Sequence, residues 1–153
     1  FTIMNIDYFM NEAISEAKKA LNSNEVPVGG VIVENKSQKI LSRGHNLTNK
    51  LNSAINHCEI LLINQACKKL NSKHLVNSTL FISLEPCIMC AAAISKAHIG
   101  TVYFAAYDEK YGGLEKLSFF YKKNKSFLPE IYGGIHEKKS SLLLKKFFRK
   151  QRL

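Results

Sequence analysis

The chain has 153 residues, of which 46% are hydrophobic and 22% are charged, and it contains four cysteines and no tryptophan. A chain of this length buries roughly 70% of its unfolded surface around one core, so we expect a single domain over residues 1–153 without disulfide staples. No apolar run is long enough to cross a bilayer, and the cysteine usage favours a reducing, cytoplasmic setting. The formal net charge of +10 favours a polyanionic partner.

Apolar spacing predicts helices and strands that alternate along the chain. A first helix is predicted over 6–21, and strands over 28–34 and 39–45 form a hairpin through Asn35-Lys36-Ser37. The later predictions are a helix over 57–70, a strand over 79–83, a helix over 87–97, a strand over 101–105, a short helix near Leu114, a strand over 130–135 and a final helix over about 137–152. Strands separated by helices imply a mostly parallel, three-layer α/β fold that begins with an antiparallel hairpin.

Two short clusters carry the chemistry of this chain: His57-Cys58-Glu59 and Pro86-Cys87-Ile88-Met89-Cys90. The imidazole of His57 and the thiolates of Cys87 and Cys90 are three zinc ligands, and catalytic zinc takes three ligands from the protein while a fourth position stays open. Pro86 suits the first turn of the 87–97 helix, whose positive end favours the thiolate form of both cysteines. We therefore expect one zinc ion that takes part in chemistry.

Glu59 follows His57 by two residues, a spacing that does not bring two side chains together on a regular helix. We therefore expect His57 at or just before the start of the 57–70 helix, with Asn56 as its cap. The Glu59 carboxylate can then reach a zinc-activated water without binding the ion, and act as a general base and later a general acid. His-x-Glu followed by Pro-Cys-x-x-Cys resembles the signature of zinc-dependent nucleobase deaminases.

The end of the chain is basic and amphipathic. After Glu137 there is no acidic residue, while seven lysines and arginines accompany apolar residues that include Leu143 and Phe147. This pattern predicts a helix whose apolar stripe packs on the body of the protein and whose charged side faces out. A solvated, lysine-rich face without a partner is the alternative interpretation of the same pattern.

Short motifs stand along nearly the whole chain. They are Glu25-Val26-Pro27-Val28-Gly29-Gly30-Val31, Gly44-His45-Asn46, His57-Cys58-Glu59-Ile60, Leu84-Glu85-Pro86-Cys87-Ile88-Met89-Cys90-Ala91, Ile99-Gly100, Tyr107-Asp108 and Phe147-Phe148-Arg149. In this order and spacing they resemble the motifs of bacterial tRNA-specific adenosine deaminases. The resemblance implies a cytidine-deaminase-like α/β/α fold with a five-stranded mixed sheet flanked by helices, a homodimer, and one zinc ion per subunit. It also implies hydrolytic deamination of adenosine to inosine at the wobble position of a tRNA anticodon, with the anticodon stem-loop as partner.

The resemblance further implies roles for individual residues. His57, Cys87 and Cys90 would hold zinc, and Glu59 would be the proton shuttle. Asn46 would donate a hydrogen bond to the flipped nucleoside, Val28 would form an apolar wall, and the backbone of Cys58 would read the base. Asp108 would lie near the flanking ribose. Phe148, Arg149 and Arg152 would bind the anticodon stem and loop.

The chain departs from the family pattern in three places. Ser53-Ala54-Ile55-Asn56 replaces the common Asp-Pro-Thr-Ala, which puts any contact made by that loop in question. Cys58 replaces a usual alanine, and its side chain should point away from the metal if the helix begins there. Tyr111-Gly112-Gly113 stands where a Thr-Gly pair is frequent, and it could alter a loop that faces the substrate.

Two other functions stay open at this point. A deaminase of a free base or nucleoside, such as guanine, cytosine or cytidine, would use the same two clusters, although a small neutral base needs no basic tail. A non-catalytic zinc module that binds RNA would need a fourth protein ligand. The other histidines, each more typical of surface or core positions, are His45, His74, His98 and His136.

Overall fold

A computed structural model describes residues 3–114, 116, 122–123 and 126–152. The helices are α1 (Ile6–Asn22), α2 (Cys58–Leu70), α3 (Ile88–Lys96) and α4 (Glu137–Gln151). The strands are β1 (Gly29–Glu34), β2 (Ile40–His45), β3 (Ser78–Leu84), β4 (Thr101–Ala106) and β5 (Glu130–Tyr132). The short helix predicted near Leu114 falls on a segment that lies mostly outside the described residues.

The strands form one mixed sheet in the order β2-β1-β3-β4-β5. β1 pairs antiparallel with both β2 and β3, whereas the pairs β3–β4 and β4–β5 are parallel. Only β1 therefore runs against the other strands, and the antiparallel pairing extends beyond the predicted hairpin to β3. The carboxyl ends of β2, β3 and β4 meet at one edge of the sheet, where Asn46, Glu85 and Tyr107 follow them. This edge is where ligands collect in open α/β sheets.

Helices cover both faces of this sheet. α2 and α3 pack on one face through a core cluster that includes Leu62 and Ile94, and α1 and α4 pack on the other through a cluster that includes Phe9 and Leu143. The predicted three-layer architecture is thus confirmed. Within the described ranges, no helix has the length and apolar character that crossing a bilayer requires.

The last strand is shorter than predicted. β5 ends at Tyr132, whereas the apolar pattern predicted a strand as far as residue 135. Gly133 and Gly134 follow the strand, and Gly134 has a φ of +85°, a left-handed conformation that ends extended pairing.

The basic tail forms helix α4, close to its predicted bounds. Its buried side chains are Ser140, Leu143 and Phe147, so the predicted apolar stripe packs on the sheet. Ser140 Oγ also donates a 2.5 Å hydrogen bond to the carbonyl oxygen of Ser83 in β3. The helix is therefore anchored to the strand that leads into the second metal-ligand cluster.

Candidate active site

His57 lies immediately before helix α2. Its backbone is extended (φ −67°, ψ 152°), and it occupies the N-cap position of a helix that begins at Cys58. The prediction that Asn56 caps this helix is wrong. A side chain from the end of β2 caps it instead, because Asn46 Oδ1 accepts a 2.8 Å hydrogen bond from the free backbone N–H of Cys58.

The second cluster lies at the start of α3. Cys87 is the N-cap (φ −70°, ψ 173°), and the helix begins at Ile88, one residue later than predicted. Cys87 stays extended because it forms an isolated antiparallel bridge with Gly112. Pro86 therefore precedes the N-cap and does not lie in the first helical turn.

The three predicted ligands converge between these two helix starts. His57 Nδ1 lies 3.7 Å from Cys87 Sγ and 3.5 Å from Cys90 Sγ, and all three ligand atoms lie within 4.8 Å of one another. Nitrogen and sulfur ligands of a tetrahedral zinc ion are about 3.5 Å apart, given Zn–N of about 2.0 Å and Zn–S of about 2.3 Å. The residues present therefore fit zinc. Among the described residues the group has only these three members, so no fourth protein ligand closes it.

Cys87 is the more acidic of the two cysteine ligands. A hydrogen bond from the Cys90 thiol, helped by His57 and opposed by burial, lowers the pKa of Cys87 to about 4. The pKa of Cys90 is raised, because this thiol donates its proton to Cys87 and is itself buried. A soft divalent cation would be held by both sulfurs as thiolates, so its binding would release the proton between Cys87 and Cys90.

A cavity of about 360 Å³ opens beside the metal ligands, a volume within the usual range of about 300–1,000 Å³ for small-molecule sites. Its lining combines an apolar wall with converging polar side chains. The lining residues are Val26, Val28, Asn46, Thr48, His57, Glu59, Leu84, Glu85, Cys87, Asp108 and Tyr111. The cavity therefore brings together the predicted residues Val28, Asn46, Glu59 and Asp108 with two of the metal ligands.

Glu59 is the buried acid of this cavity. The residue is only 4% exposed, and burial raises the pKa of its carboxyl to about 7, with repulsion from Cys87 acting in the same direction. A carboxyl group that titrates near pH 7 can both accept and donate a proton under physiological conditions. Glu59 is not a member of the ligand group, so its carboxylate is left for proton transfer.

Comparison with known proteins assigns this site to a family. The family model "Cytidine and deoxycytidylate deaminase zinc-binding region" matches residues 4–106. A protein of Rickettsia bellii named tRNA-specific adenosine deaminase is 44% identical over 144 residues, which cover 94% of this chain and 99% of that relative. The chain belongs to the tRNA-specific adenosine deaminases, within the cytidine and deoxycytidylate deaminase family. The zinc-binding match and the His-Cys-Cys group together identify zinc as the metal of this deaminase.

Solved structures show the same fold. One comes from a study of A-to-I editing by tRNA deaminases at the wobble position of transfer RNA, with a TM-score of 0.83, 38% identity, and coverage of 90% of this chain and 99% of that chain. A guanine deaminase from Bacillus subtilis also matches, with a TM-score of 0.64, 32% identity, and coverage of 78% of this chain and 76% of that chain. The predicted cytidine-deaminase-like fold is confirmed.

Cys58, which stands where the family usually has alanine, points its side chain away from the zinc ligands. Its side chain is fully buried in the core, where the thiol donates a 3.2 Å hydrogen bond to the carbonyl oxygen of Gly44. Burial raises the pKa of this thiol well above its usual value, so it stays protonated. The resemblance assigned the backbone of Cys58 to reading the base, and in this structure the backbone N–H donates to Asn46 Oδ1.

Sequence reasoning missed two acidic residues that organise the deaminase site. Glu25 is 1% exposed, and its carboxylate accepts hydrogen bonds from the backbone N–H groups of Asn49 and Lys50 and from Thr48 Oγ1. Glu25 therefore holds the loop that presents Thr48 to the cavity. An acidic residue inside an otherwise apolar motif was the signal that could have marked it.

The second missed acid is Glu85. It lines the cavity, and its Oε1 accepts a 3.1 Å hydrogen bond from the backbone N–H of Asp108. Asp108 Oδ1 in turn accepts a 3.0 Å hydrogen bond from the backbone N–H of Tyr111, another cavity residue that was not assigned from the sequence. Glu85 thus connects the strand β3 end to the loop on the far side of the cavity.

The predicted tail residues lie apart from the cavity. Phe148, Arg149 and Arg152 line a separate surface groove of about 270 Å³ together with Leu144 and Lys145. Phe148 is 48% exposed, although phenylalanine usually prefers the core. The structure therefore groups the three tail residues with one another and not with the zinc ligands.

Proposed function

We propose that this protein deaminates adenosine to inosine by hydrolysis at the wobble position of a tRNA anticodon. The observation that carries the proposal is the buried Glu59 carboxyl in one cavity with a three-ligand zinc group that no fourth described residue closes. Relatives named tRNA-specific adenosine deaminases support the substrate class. The solved structure from the study of wobble-position A-to-I editing supports it as well.

The proposed reaction consumes one water and releases one ammonia for each adenosine. His57, Cys87 and Cys90 would hold zinc. The ion would act as a Lewis acid and lower the pKa of a water molecule towards neutrality. Glu59 takes one proton of the water that attacks C6 of adenine and passes it to ring N1. It then transfers the second proton of that water to the amine, which departs as ammonia.

The cavity walls hold the base during this sequence. Asn46 Oδ1 is occupied by the Cys58 amide, so its Nδ2 is the group that donates a hydrogen bond to the base. Val28 contributes apolar surface on the wall of the same cavity, and the proposed role of Asp108, which also lines it, is a contact with a neighbouring ribose. These roles complete the set of residues proposed to bind the nucleoside.

An RNA partner is proposed from the charge and shape of the tail. The chain carries a net charge of +10, and Lys145, Arg149 and Arg152 line one surface groove with the exposed Phe148. Arginine and lysine side chains neutralise phosphates, and an exposed aromatic ring stacks on unpaired bases. A homodimer, a cytoplasmic location alongside tRNA, and one deaminase domain over residues 1–153 complete the proposal.

Deamination of a free base is the competing function, and the likeness to a guanine deaminase at 32% identity favours it. A decisive experiment incubates the purified, zinc-loaded full chain with an anticodon stem-loop that carries adenosine at the wobble position, with guanine and cytidine as parallel substrates. We expect inosine in the stem-loop, measured by nucleoside analysis, and no deamination of guanine or cytidine. Ammonia released from guanine or cytidine with an unchanged stem-loop would refute the proposal.

A further inference from the structure

Tyr111 is the most exposed large side chain in the lining of the cavity. Its side chain contributes to the lining while the residue is 62% exposed, so the ring lies at the mouth, between the reaction site and solvent. An exposed aromatic ring at a binding site is typical of a surface that stacks on a ligand.

The backbone beneath this ring is held rigidly. The N–H of Tyr111 donates to Asp108 Oδ1 at 3.0 Å, and the N–H of Gly112 donates to the Asp108 carbonyl oxygen at 2.8 Å. The N–H of Asp108 itself donates to Glu85 Oε1 at 3.1 Å. The ring therefore projects from a turn with a defined conformation, which lowers the entropic cost of binding a base on it.

The same turn is fastened to the zinc site. Gly112 forms a backbone bridge with the zinc ligand Cys87, and the N–H of Gly113 donates to the Pro86 carbonyl oxygen at 2.9 Å. A Cβ on Gly113 would lie 2.4 Å from the backbone nitrogen of Ile88, so the close approach requires glycine. Tyr111 is thus at a fixed distance from the position where the target base reacts.

A positive charge accompanies the ring. The Lys110 ammonium lies 5.2 Å from the centroid of the Tyr111 ring, within the range of a cation–π interaction. This pair of groups suits a nucleotide. The aromatic ring can stack on the base, and the ammonium can neutralise the phosphate. A free base offers only the first of these parts.

We propose that Tyr111 is a stacking platform for the base adjacent to the target adenosine, with Lys110 facing the phosphate between the two nucleotides. This inference rests on the proposed function and deepens it. The preferred substrate is then an unpaired RNA segment of at least two nucleotides. Tyr111 binds the neighbour equally in the ground state and the transition state, so its contribution falls on KM and not on kcat.

The test compares Tyr111→Ala, Tyr111→Trp and the unmodified protein on the anticodon stem-loop. Alanine should raise KM about 5- to 150-fold, the scale of losing one base stack, at nearly unchanged kcat, whereas tryptophan should keep KM near that of the unmodified protein. Tyr8→Ala is the matched control, since Tyr8 is 50% exposed on α1 and lies outside the cavity lining. Zinc content and thermal unfolding of every variant establish that the fold is intact.

A second arm removes the stacking base. Stem-loops made abasic on the 5′ or the 3′ side of the target adenosine are assayed with the unmodified protein and with Tyr111→Ala. On one of the two substrates the KM values of both proteins should coincide, because the base that stacks on Tyr111 is gone.

Different results would contradict the stacking role of Tyr111 and the deaminase function. An unchanged KM for Tyr111→Ala on the intact stem-loop, or an alanine effect of equal size on both abasic substrates, would overturn the stacking role while inosine formation by the unmodified protein upholds the function. No inosine from the unmodified protein would contradict the proposed function, and the stacking role with it.

Discussion

The backbone N–H of Cys58 donates a 2.8 Å hydrogen bond to Oδ1 of Asn46 across the edge of the sheet. This bond does two things at once, since it caps helix α2 next to the zinc ligand His57 and it orients the Asn46 amide. Asn46 is 7% exposed, and its NH₂ group is the donor that this cavity residue can offer to a base. The helix start and the proposed recognition of the base therefore depend on one side chain.

Asn46→Asp should separate these two roles. Aspartate keeps an acceptor for the Cys58 amide but loses the NH₂ donor, so kcat/KM for the stem-loop should fall about 10- to 100-fold, as expected for one lost hydrogen bond to a base. Thermal unfolding should remain close to that of the unmodified protein. Asn46→Ala removes the acceptor as well and should also lower the unfolding temperature, and equal unfolding temperatures for the two variants would contradict the capping role.

Glu59→Gln should keep the metal and lose the reaction. Glutamine has nearly the same shape but cannot accept the proton of the attacking water, so turnover should fall at least 10²- to 10⁴-fold. Metal analysis together with single-turnover assays on the stem-loop tests this expectation. Glu130→Gln on the exposed strand β5 is the control, and turnover of Glu59→Gln at the control rate would refute the proposed proton shuttle.

Cys90→Ala should abolish zinc binding, because only two of the three convergent ligands remain. We expect the zinc content to fall from one ion per chain to a small fraction, with loss of activity and a lower unfolding temperature. Cys67→Ala is a suitable control, since Cys67 is partly buried in α2 and lies outside the ligand group. A chelator should lower the unfolding temperature of the control protein and leave that of Cys90→Ala unchanged.

Arg149→Ala should weaken RNA binding in a manner that depends on salt. If Arg149 contacts one phosphate, the slope of log Kd against log salt concentration for the stem-loop should flatten by about 0.7–1. Fluorescence anisotropy over a series of potassium chloride concentrations measures this slope. Lys36→Ala, in the turn between β1 and β2, is the charge-matched control, and an identical slope for both variants would place the RNA away from Arg149.

Glu16 should make folding stability depend on pH. This residue of α1 is 4% exposed, and burial raises the pKa of its carboxyl, but hydrogen bonds from Lys19 and Arg43 outweigh burial and lower the pKa below 4.5. A carboxyl whose pKa is lower in the folded state stabilises the fold above its unfolded pKa, and this contribution is lost as pH falls through the folded value.

Glu16→Gln should therefore cost about 1.5–3 kcal/mol of unfolding free energy at pH 7, the scale of hydrogen bonds to a charged group. The difference between the variant and the unmodified protein should shrink as pH falls below 4.5, the ordinary value for glutamate. Urea unfolding at several pH values measures it. Glu12→Gln should cost less, because the Glu12 carboxylate is more exposed and, among the described residues, pairs with Arg43 and no second cation. A difference for Glu16→Gln that stays constant with pH would contradict the ion pairing.

Local patterns in the sequence predicted most of the fold, for identifiable reasons. The helices α1, α2 and α4 have apolar residues at helical spacing, and their observed bounds differ from the predicted ones by a residue or so. The zinc group was predictable because residue chemistry limits which side chains bind zinc, and three of them lay in two short motifs. The tail was predictable because its apolar and basic residues alternate with the period of a helix.

Contacts between distant segments were not predictable in this way. The cap of α2 comes from Asn46, which follows strand β2, whereas local sequence indicated the adjacent Asn56. Glu25 and Glu85 act on loops more than 20 residues away in the chain, through backbone N–H groups that carry no sequence signature. Roles that arise from packing of separate segments need the three-dimensional structure.

The hydrogen bond from Ser140 to the carbonyl oxygen of Ser83 joins the basic tail helix to the central sheet. A truncation ahead of Glu137 would strip Leu143 and Phe147 from the sheet and expose the aromatic surface around Phe9 to water. Such a protein would be prone to aggregation. The residues that fill the core and the residues proposed to bind RNA therefore lie on the same stretch of chain, so removing one set removes the other.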